Sequence, residues 1–298
     1  DEPFADASAI PNYLISQVAR RSVTVALAGH GGDELFGGYP RYLGQQFGAS
    51  YDRLSVGFRR GLAAASRWIP ESAQSGNWPG RVRRFLQAGG SPPDERYLRW
   101  VTFLPQEWGE DLFTPEFRAR SGTDKSAEAY YRLYRDWPSS DPAERAMAVD
   151  IQTYLPDDLL AMGDRMSMAH SLEVRVPFCD HVLAQFAMGL SARERFRHRR
   201  LKSFLKRTLR ATLPDHLLHR PKQGFMVPLA RWFNHDLHAM VRELLSEEAV
   251  GRRGYVRYPY VRWLLAEHEA GRRNCTDQIF ALLALEIWQR TCVEGRSV

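Results

Sequence analysis

Val23-Thr24-Val25-Ala26-Leu27-Ala28-Gly29-His30-Gly31-Gly32-Asp33-Glu34-Leu35-Phe36-Gly37-Gly38-Tyr39 decides how the rest of the chain is read. Val23, Val25 and Leu27 alternate with smaller residues in a short apolar run, which predicts a buried strand over 23–28. Gly29, Gly31 and Gly32 break that run. Glycines there permit a sharp turn and let backbone N–H groups approach a ligand closely. Asp33 and Glu34 follow at the start of a helix, where carboxylates suit the dipole. A carboxylate pair beyond the carboxyl end of a strand lies where open α/β sheets bind ligands, and it suits Mg2+ held with a nucleotide's phosphates. A plain glycine turn with two helix-terminal carboxylates accounts for the same spacing, because short glycine motifs recur by chance.

Outward from this stretch, a helix running to about Arg21 is expected, capped by Asp6 or Ser8 with Pro11 in its first turn. Followed by the strand, it makes a helix-to-strand unit of an α/β sheet. Residues 35 to 137 read as helical and irregular, with loops at 70–80 and 89–94. Tyr97, Trp100, Val101 and Leu104 fall at helical spacing and read as core. Asp141-Pro142 is an N-cap followed by proline at the first helical position, opening a helix that carries Met147, Ile151 and Tyr154. Pro156 restarts the chain as a second helix, with Asp157 and Asp164 seven apart on one face. Beyond it, a basic helix is expected at 199–213 with Leu201, Phe204, Leu205 and Leu209 as its buried stripe. His219 to Pro228 reads as a loop. Three helices close the chain, at about 229–246, 258–270 and 276–292, with Trp232, Trp263 and Trp288 as core anchors.

With 298 residues the chain can bury a large core as one domain or two. No apolar run is long enough to span a bilayer as a helix, so no membrane partner is expected. No secretory leader opens the sequence, and Asp1 in place of Met predicts a chain that begins inside a longer protein. Cys179, Cys275 and Cys292 are widely spaced, with no C-x-x-C pair. Reduced, mostly buried thiols in a cytoplasmic protein are expected. The formal net charge is +6, and all but Lys125, Lys202, Lys206 and Lys222 of the 41 basic residues are arginines. No nucleic-acid-binding motif or aromatic–basic repeat accompanies that charge, so no nucleic-acid partner is expected.

Four segments carry a family resemblance. Ala28 to Tyr39 resembles the Ser-Gly-(Glu/Asp)-Gly-(Gly/Ser)-Asp-Glu-Leu-Phe-Gly-Gly-Tyr signature of the glutamine-hydrolysing asparagine synthetases. Leu155 to Asp180 is similar to the family's Leu-Pro-Asp-Asp-Leu-Leu-x-x-x-Asp-Arg-x-Ser-Met-Ala-x-Ser-Leu-Glu-x-Arg-x-Pro-Phe-Leu-Asp pattern, with Cys179 in place of the usual leucine. Arg220 to Pro228 resembles its Arg-x-Lys-x-Gly-Phe-x-x-Pro motif. Asp1 to Pro11 resembles the Asp-x-Pro-x-x-Asp-x-Ser-x-x-Pro segment that precedes the signature.

The resemblance implies a Rossmann-like α/β domain of the adenine nucleotide α-hydrolase (ATP pyrophosphatase) type, with a parallel sheet and many helices. It implies ATP and Mg2+, with aspartate or another carboxylate adenylated and ammonia from glutamine displacing AMP. Ala28, Gly29, Gly31 and Gly32 would line the nucleotide through backbone atoms. Asp33 would bind the metal, and Glu34 would support it. His30 would stand by the acyl acceptor. Asp164 and Arg165, with Glu173 and Arg175, would shape the pocket. Lys222 would meet the phosphate charge, as a compact ammonium on a flexible stem can.

Two departures matter. The family's nucleotide loop, Ser-Gly-Gly-x-Asp-Ser, does not occur in the 298 residues, and neither does the glutaminase domain. Residues 1–298 are therefore expected to be the C-terminal portion of a synthetase domain with half of an ATP site, inactive alone. The acidic residue of the signature is His30 here, and a neutral imidazole is a base without negative charge. That leaves a ligase acting on another acid, as in β-lactam synthetases or in amidation of a cell-surface sugar, beside asparagine synthesis. A non-catalytic family member and a homodimer also stay open.

Overall fold

The computed structural model describes residues 2–69, 78–104, 106–121, 125–220, 224 and 227–297. Helix α1 (Ala9–Arg20) is entered through an Asx turn in which the Ser8 N–H donates to the Asp6 carboxylate at 2.7 Å. Pro11 sits in its first turn, where a missing N–H costs nothing. The chain then forms β1 (Val25–Leu27), α2 (Gly32–Phe36) and α3 (Pro40–Tyr51). Further on come α4 (Pro93–Val101), α5 (Lys125–Asp136) and α6 (Pro142–Gln152). The expected cap of α6 is present, with the Asp141 side chain accepting from the Ala143 N–H at 2.8 Å.

A π-helical turn, Tyr154–Leu160, runs directly into α7 (Ala161–Met168). The α-helical spacing expected between Asp157 and Asp164 is interrupted by this wider turn, although both remain exposed. Strand β2 (Glu173–Arg175) follows and pairs parallel with β1, in the register Val25–Glu173, Ala26–Val174, Leu27–Arg175. The long stretch between the two strands is the crossover that parallel pairing requires.

The strand after α1 is present but not buried. Val23 is 44% exposed, Val25 37% and Leu27 73%. Its apolar pattern suits a strand sandwiched between layers. Among the described residues the sheet has only two strands, and nothing covers that face. Tyr13, Leu14, Ile15 and Val18 of α1 are exposed as well.

Helix α8 (His181–Met188) caps on Asp180, whose side chain accepts from the Val182 and Leu183 N–H groups. The basic helix expected at 199–213 is shorter than its periodicity suggests: α9 is Ser203–Thr208. His198, Arg199 and Lys202 hold left-handed backbone, with φ of 59°, 55° and 52°, which no α-helix accommodates.

The C-terminal part packs around Leu112, Phe233, Val241, Leu244, Val261, Leu264, Ile279 and Leu283. The single helix expected at 229–246 is two, α10 (Leu229–Asn234) and α11 (His238–Leu244). Between them His235 leaves the helical region, at φ −132° and ψ −85°. Next comes α12 (Glu247–Arg253), capped by Ser246 and ended by left-handed Gly254. Helices α13 (Tyr258–Glu269) and α14 (Thr276–Trp288) lie within the expected spans. Trp232 and Trp263 pack against this core and, like Trp288, are half-buried. Of the cysteines only Cys275 is buried; Cys179 is half-buried and Cys292 exposed.

Candidate active site

The site is built where β1 ends. The Ala28 N–H donates to the Arg175 carbonyl at 2.9 Å, extending the ladder to the edge of the glycine turn. Gly31 has φ 84°, so a side chain there would be strained, and its Cβ would lie 2.7 Å from the Cys179 sulfur. Gly32 rests on the Phe178 ring. The segment Val176 to Cys179 thus forms the floor of the turn, and the Cys179 thiol donates to the His30 carbonyl at 3.6 Å. Burial raises that thiol's pKa, which keeps it protonated and inert. At Gly29 nothing lies within 4 Å of where a Cβ would be, so the backbone there is open to close approach.

Helix α2 carries both carboxylates, and they face different surroundings. Asp33 pairs with Lys202, Oδ1 to Nζ at 2.9 Å. Glu34 is buried and accepts a hydrogen bond from the Tyr39 hydroxyl. Burial raises the pKa of Glu34, and the Tyr39 bond opposes that rise. Tyr39 is held in turn from behind. The Arg41 guanidinium lies 4.0 Å above the centre of its ring and 5.0 Å from that of Tyr154. Arg41 is fixed by Asp150 of α6 at 2.6 Å, and that carboxylate also accepts from the hydroxyls of Tyr42 and Tyr97. A buried polar network therefore runs from α6 to the second carboxylate of the turn.

His30 is half-buried and faces α7, its Cε1 3.1 Å from where a Cβ on Gly163 would be. Burial lowers its pKa, which favours a neutral imidazole at pH 7. Gly163 precedes Asp164, whose side chain is exposed. Arg165 reaches Glu2 at 3.1 Å, and Glu173 pairs with Arg175 at 2.7 Å on β2. The structure thus gathers Ala28, Gly29, His30, Gly31, Gly32, Asp33 and Glu34 at one turn, with α7 beside His30. Lys222 lies outside the described residues.

Sequence reasoning missed Lys202, Tyr39, Arg41, Asp150 and Gly163. Two signals were there to read. Lys202 is one of four lysines in an arginine-rich chain, and Asp150 is an acid set between Met147 and Ile151 on a helix face otherwise apolar.

The π-helical turn adds a second acidic pair. Burial, then the neighbouring Asp6 carboxylate, push the Asp158 pKa up to about 7. Between its ordinary 3.8 and about 7, the folded protein holds a proton that the unfolded chain has released. Stability is therefore lost as pH rises through that window. Asp158→Asn is expected to flatten this loss. Urea unfolding at pH 5 and pH 8 should show a smaller drop in the variant than in the parent, and equal drops would refute the pairing.

Mg2+ takes one or two carboxylates and completes its shell with water and substrate phosphates. Among the described residues no group of three or more acidic, histidine or cysteine side chains converges on one point. Asp33 is placed to give one carboxylate, while Glu34 is turned away to Tyr39. That donor set fits a metal carried mainly by nucleotide phosphates, and it does not fit a metal held by protein alone.

The chain is a helix-rich α/β domain with a small parallel sheet, and its glycine turn and acidic pair lie at the carboxyl end of β1. Residues 1–290 match the family described as Asparagine synthase, and the chain belongs to that family, whose fold is adenine nucleotide α-hydrolase-like. It is 30% identical to asparagine synthetase (glutamine-hydrolyzing) 1 of Bacillus subtilis (strain 168), over 99% of this chain and 45% of that protein. Asparagine synthetase (glutamine-hydrolyzing) 3 of the same strain is 24% identical over 69% of the chain and 27% of its own length. Amidase chry2 of Gibberella zeae is 22% identical over 85% and 40% respectively. The chain spans less than half the length of these relatives.

Proposed function

We propose that residues 1–298 form one wall of the synthetase site of an amide-forming amidotransferase. The enzyme adenylates a carboxylate, with aspartate as the first candidate, and glutamine-derived ammonia displaces AMP. The observation that carries this reading is the turn itself. Gly29 is open to close approach, Asp33 faces Lys202, and His30 stands against α7, all at the carboxyl end of β1. In this reading Ala28, Gly29, Gly31 and Gly32 present backbone to ATP, Asp33 contributes a metal ligand, and Glu34 braces the turn through Tyr39. Magnesium, when bound with the nucleotide, supplies neutralisation of phosphate charge. His30, kept neutral, accepts a proton from the incoming amine. Asp164 and Arg165 belong to the pocket wall beside it, and Lys222 meets the phosphates. The bare face of β1 supports the view that these residues are part of a larger synthetase domain; a cytoplasmic setting is the compartment this reading assigns.

His30 in place of an acid favours a second reading, in which the same chemistry acts on another acid. Assaying the full-length protein with ATP, glutamine and a panel of carboxylic acids separates the two. Pyrophosphate released with aspartate supports asparagine synthesis; release with another acid and none with aspartate ends it. A full-length protein that binds no ATP in the presence of Mg2+ would instead be a non-catalytic module.

A further inference from the structure

Lys202 has no part in the sequence-derived site, yet three independent features of the fold converge on it. Its backbone is left-handed, at φ 52° and ψ 31°, in a segment where His198 and Arg199 are left-handed too. Non-glycine residues hold such backbone only where their surroundings enforce it, and they cluster at functional positions. Its N–H donates to the Gly37 carbonyl at 3.2 Å, tying the segment to the turn that ends α2. Gly38 then leaves room that no other residue would leave. A Cβ there would lie 1.6 Å from the Asp33 Oδ1 and 2.6 Å from the Lys202 Cε. The glycine turn and the strained basic segment together deliver an ammonium to the inner oxygen of Asp33.

We propose that Lys202 is the built-in competitor of the divalent cation for Asp33. This rests on the reading of Asp33 as a metal ligand. An oxygen with an ammonium 2.9 Å away accepts a divalent cation only if the ammonium withdraws, because two cations on one carboxylate oxygen repel. Withdrawal is unfavourable unless another anion takes up the charge of Lys202. A polyphosphate arriving with the metal provides that anion, whereas the bare metal ion does not. Metal and nucleotide binding are thereby coupled, each raising the affinity for the other. Lys202 is a positioning residue that selects a metal–nucleotide complex over free metal.

The test uses the full-length protein and Mn2+ alone, followed by electron paramagnetic resonance without nucleotide. Lys202→Met is expected to bind Mn2+ up to about fivefold more tightly than the parent, the upper end for a partly exposed ion pair. Lys202→Arg should keep the weak parental affinity. Asp33→Asn should lose the Mn2+ site in both the parent and the Lys202→Met background. An unchanged or weaker affinity in Lys202→Met, with Asp33→Asn still deleterious, overturns the competition and leaves the metal reading standing. If Asp33→Asn has no effect in either background, the metal reading fails and the competition falls with it. Should Lys202→Met lose its circular dichroism signal, Lys202→Gln serves the same comparison.

Discussion

Asp150→Ala is expected to destabilise the protein by about 3–5 kcal/mol, the range for removing one partner of a buried ion pair. Asp150 is 2% exposed and serves three donors from two other helices. Arg41 reaches it through two nitrogens, at 2.6 and 3.1 Å, and Tyr42 at 2.5 Å. Tyr97 of α4 donates to its other oxygen. Deleting the carboxylate leaves two buried hydroxyls and a partly buried guanidinium without this acceptor, and the hydroxyls keep their desolvation cost. Asp150→Asn, which retains an acceptor oxygen and the volume, should cost clearly less. Urea unfolding with an unchanged slope is the measurement. A loss below about 1 kcal/mol for Asp150→Ala would show that the cluster finds other acceptors. The consequence extends to the site, because Arg41 is what packs on Tyr39, and Tyr39 is what holds Glu34.

The residues that sequence reading recovered are those whose job is written in their own neighbourhood. Glycines 29, 31 and 32 announce a turn by type alone, and Asp141-Pro142 announces a helix start. The parallel pairing of β1 with β2 follows from no local pattern, since Val25 and Glu173 are far apart in sequence. Lys202 falls inside the basic helix expected at 199–213, because helical periodicity there is sound and nothing in it warns of left-handed backbone at His198, Arg199 and Lys202. Asp150 sits on a helix whose existence and cap were legible, but the donors that make it important come from α3 and α4. The exposure of Val23, Val25 and Leu27 contradicts their pattern for a different reason. Apolar alternation states what a strand is made to contact, and among the described residues that contact is not supplied.

Gly38→Ala is expected to cut kcat/KM for pyrophosphate release by about 100-fold in the full-length protein while changing stability by less than about 1 kcal/mol. The two glycines that end α2 differ in what they are for. Gly37 has φ 72°, and a Cβ there would lie 2.5 Å from the Phe196 ring, so it is required by the backbone and by the core. Gly38 has no left-handed backbone and is required by space beside Asp33 and Lys202. The atoms nearest a methyl group there belong to side chains: the Asp33 carboxylate and the Lys202 methylene. Those atoms can retreat to an ordinary contact of about 3.5 Å without moving the backbone, which is why the fold should tolerate the change. The carboxylate, however, can no longer stand where the turn holds it, and displacing a positioned group by an ångström costs about two orders of magnitude in rate. Gly37→Ala is the contrasting variant, expected to lose about 1–3 kcal/mol of stability through its forced left-handed backbone. Urea midpoints and pyrophosphate release on the two variants separate the roles. If Gly38→Ala unfolds as early as Gly37→Ala yet retains full activity per folded molecule, then Gly38 serves packing, and the placement of Asp33 is not what the turn protects.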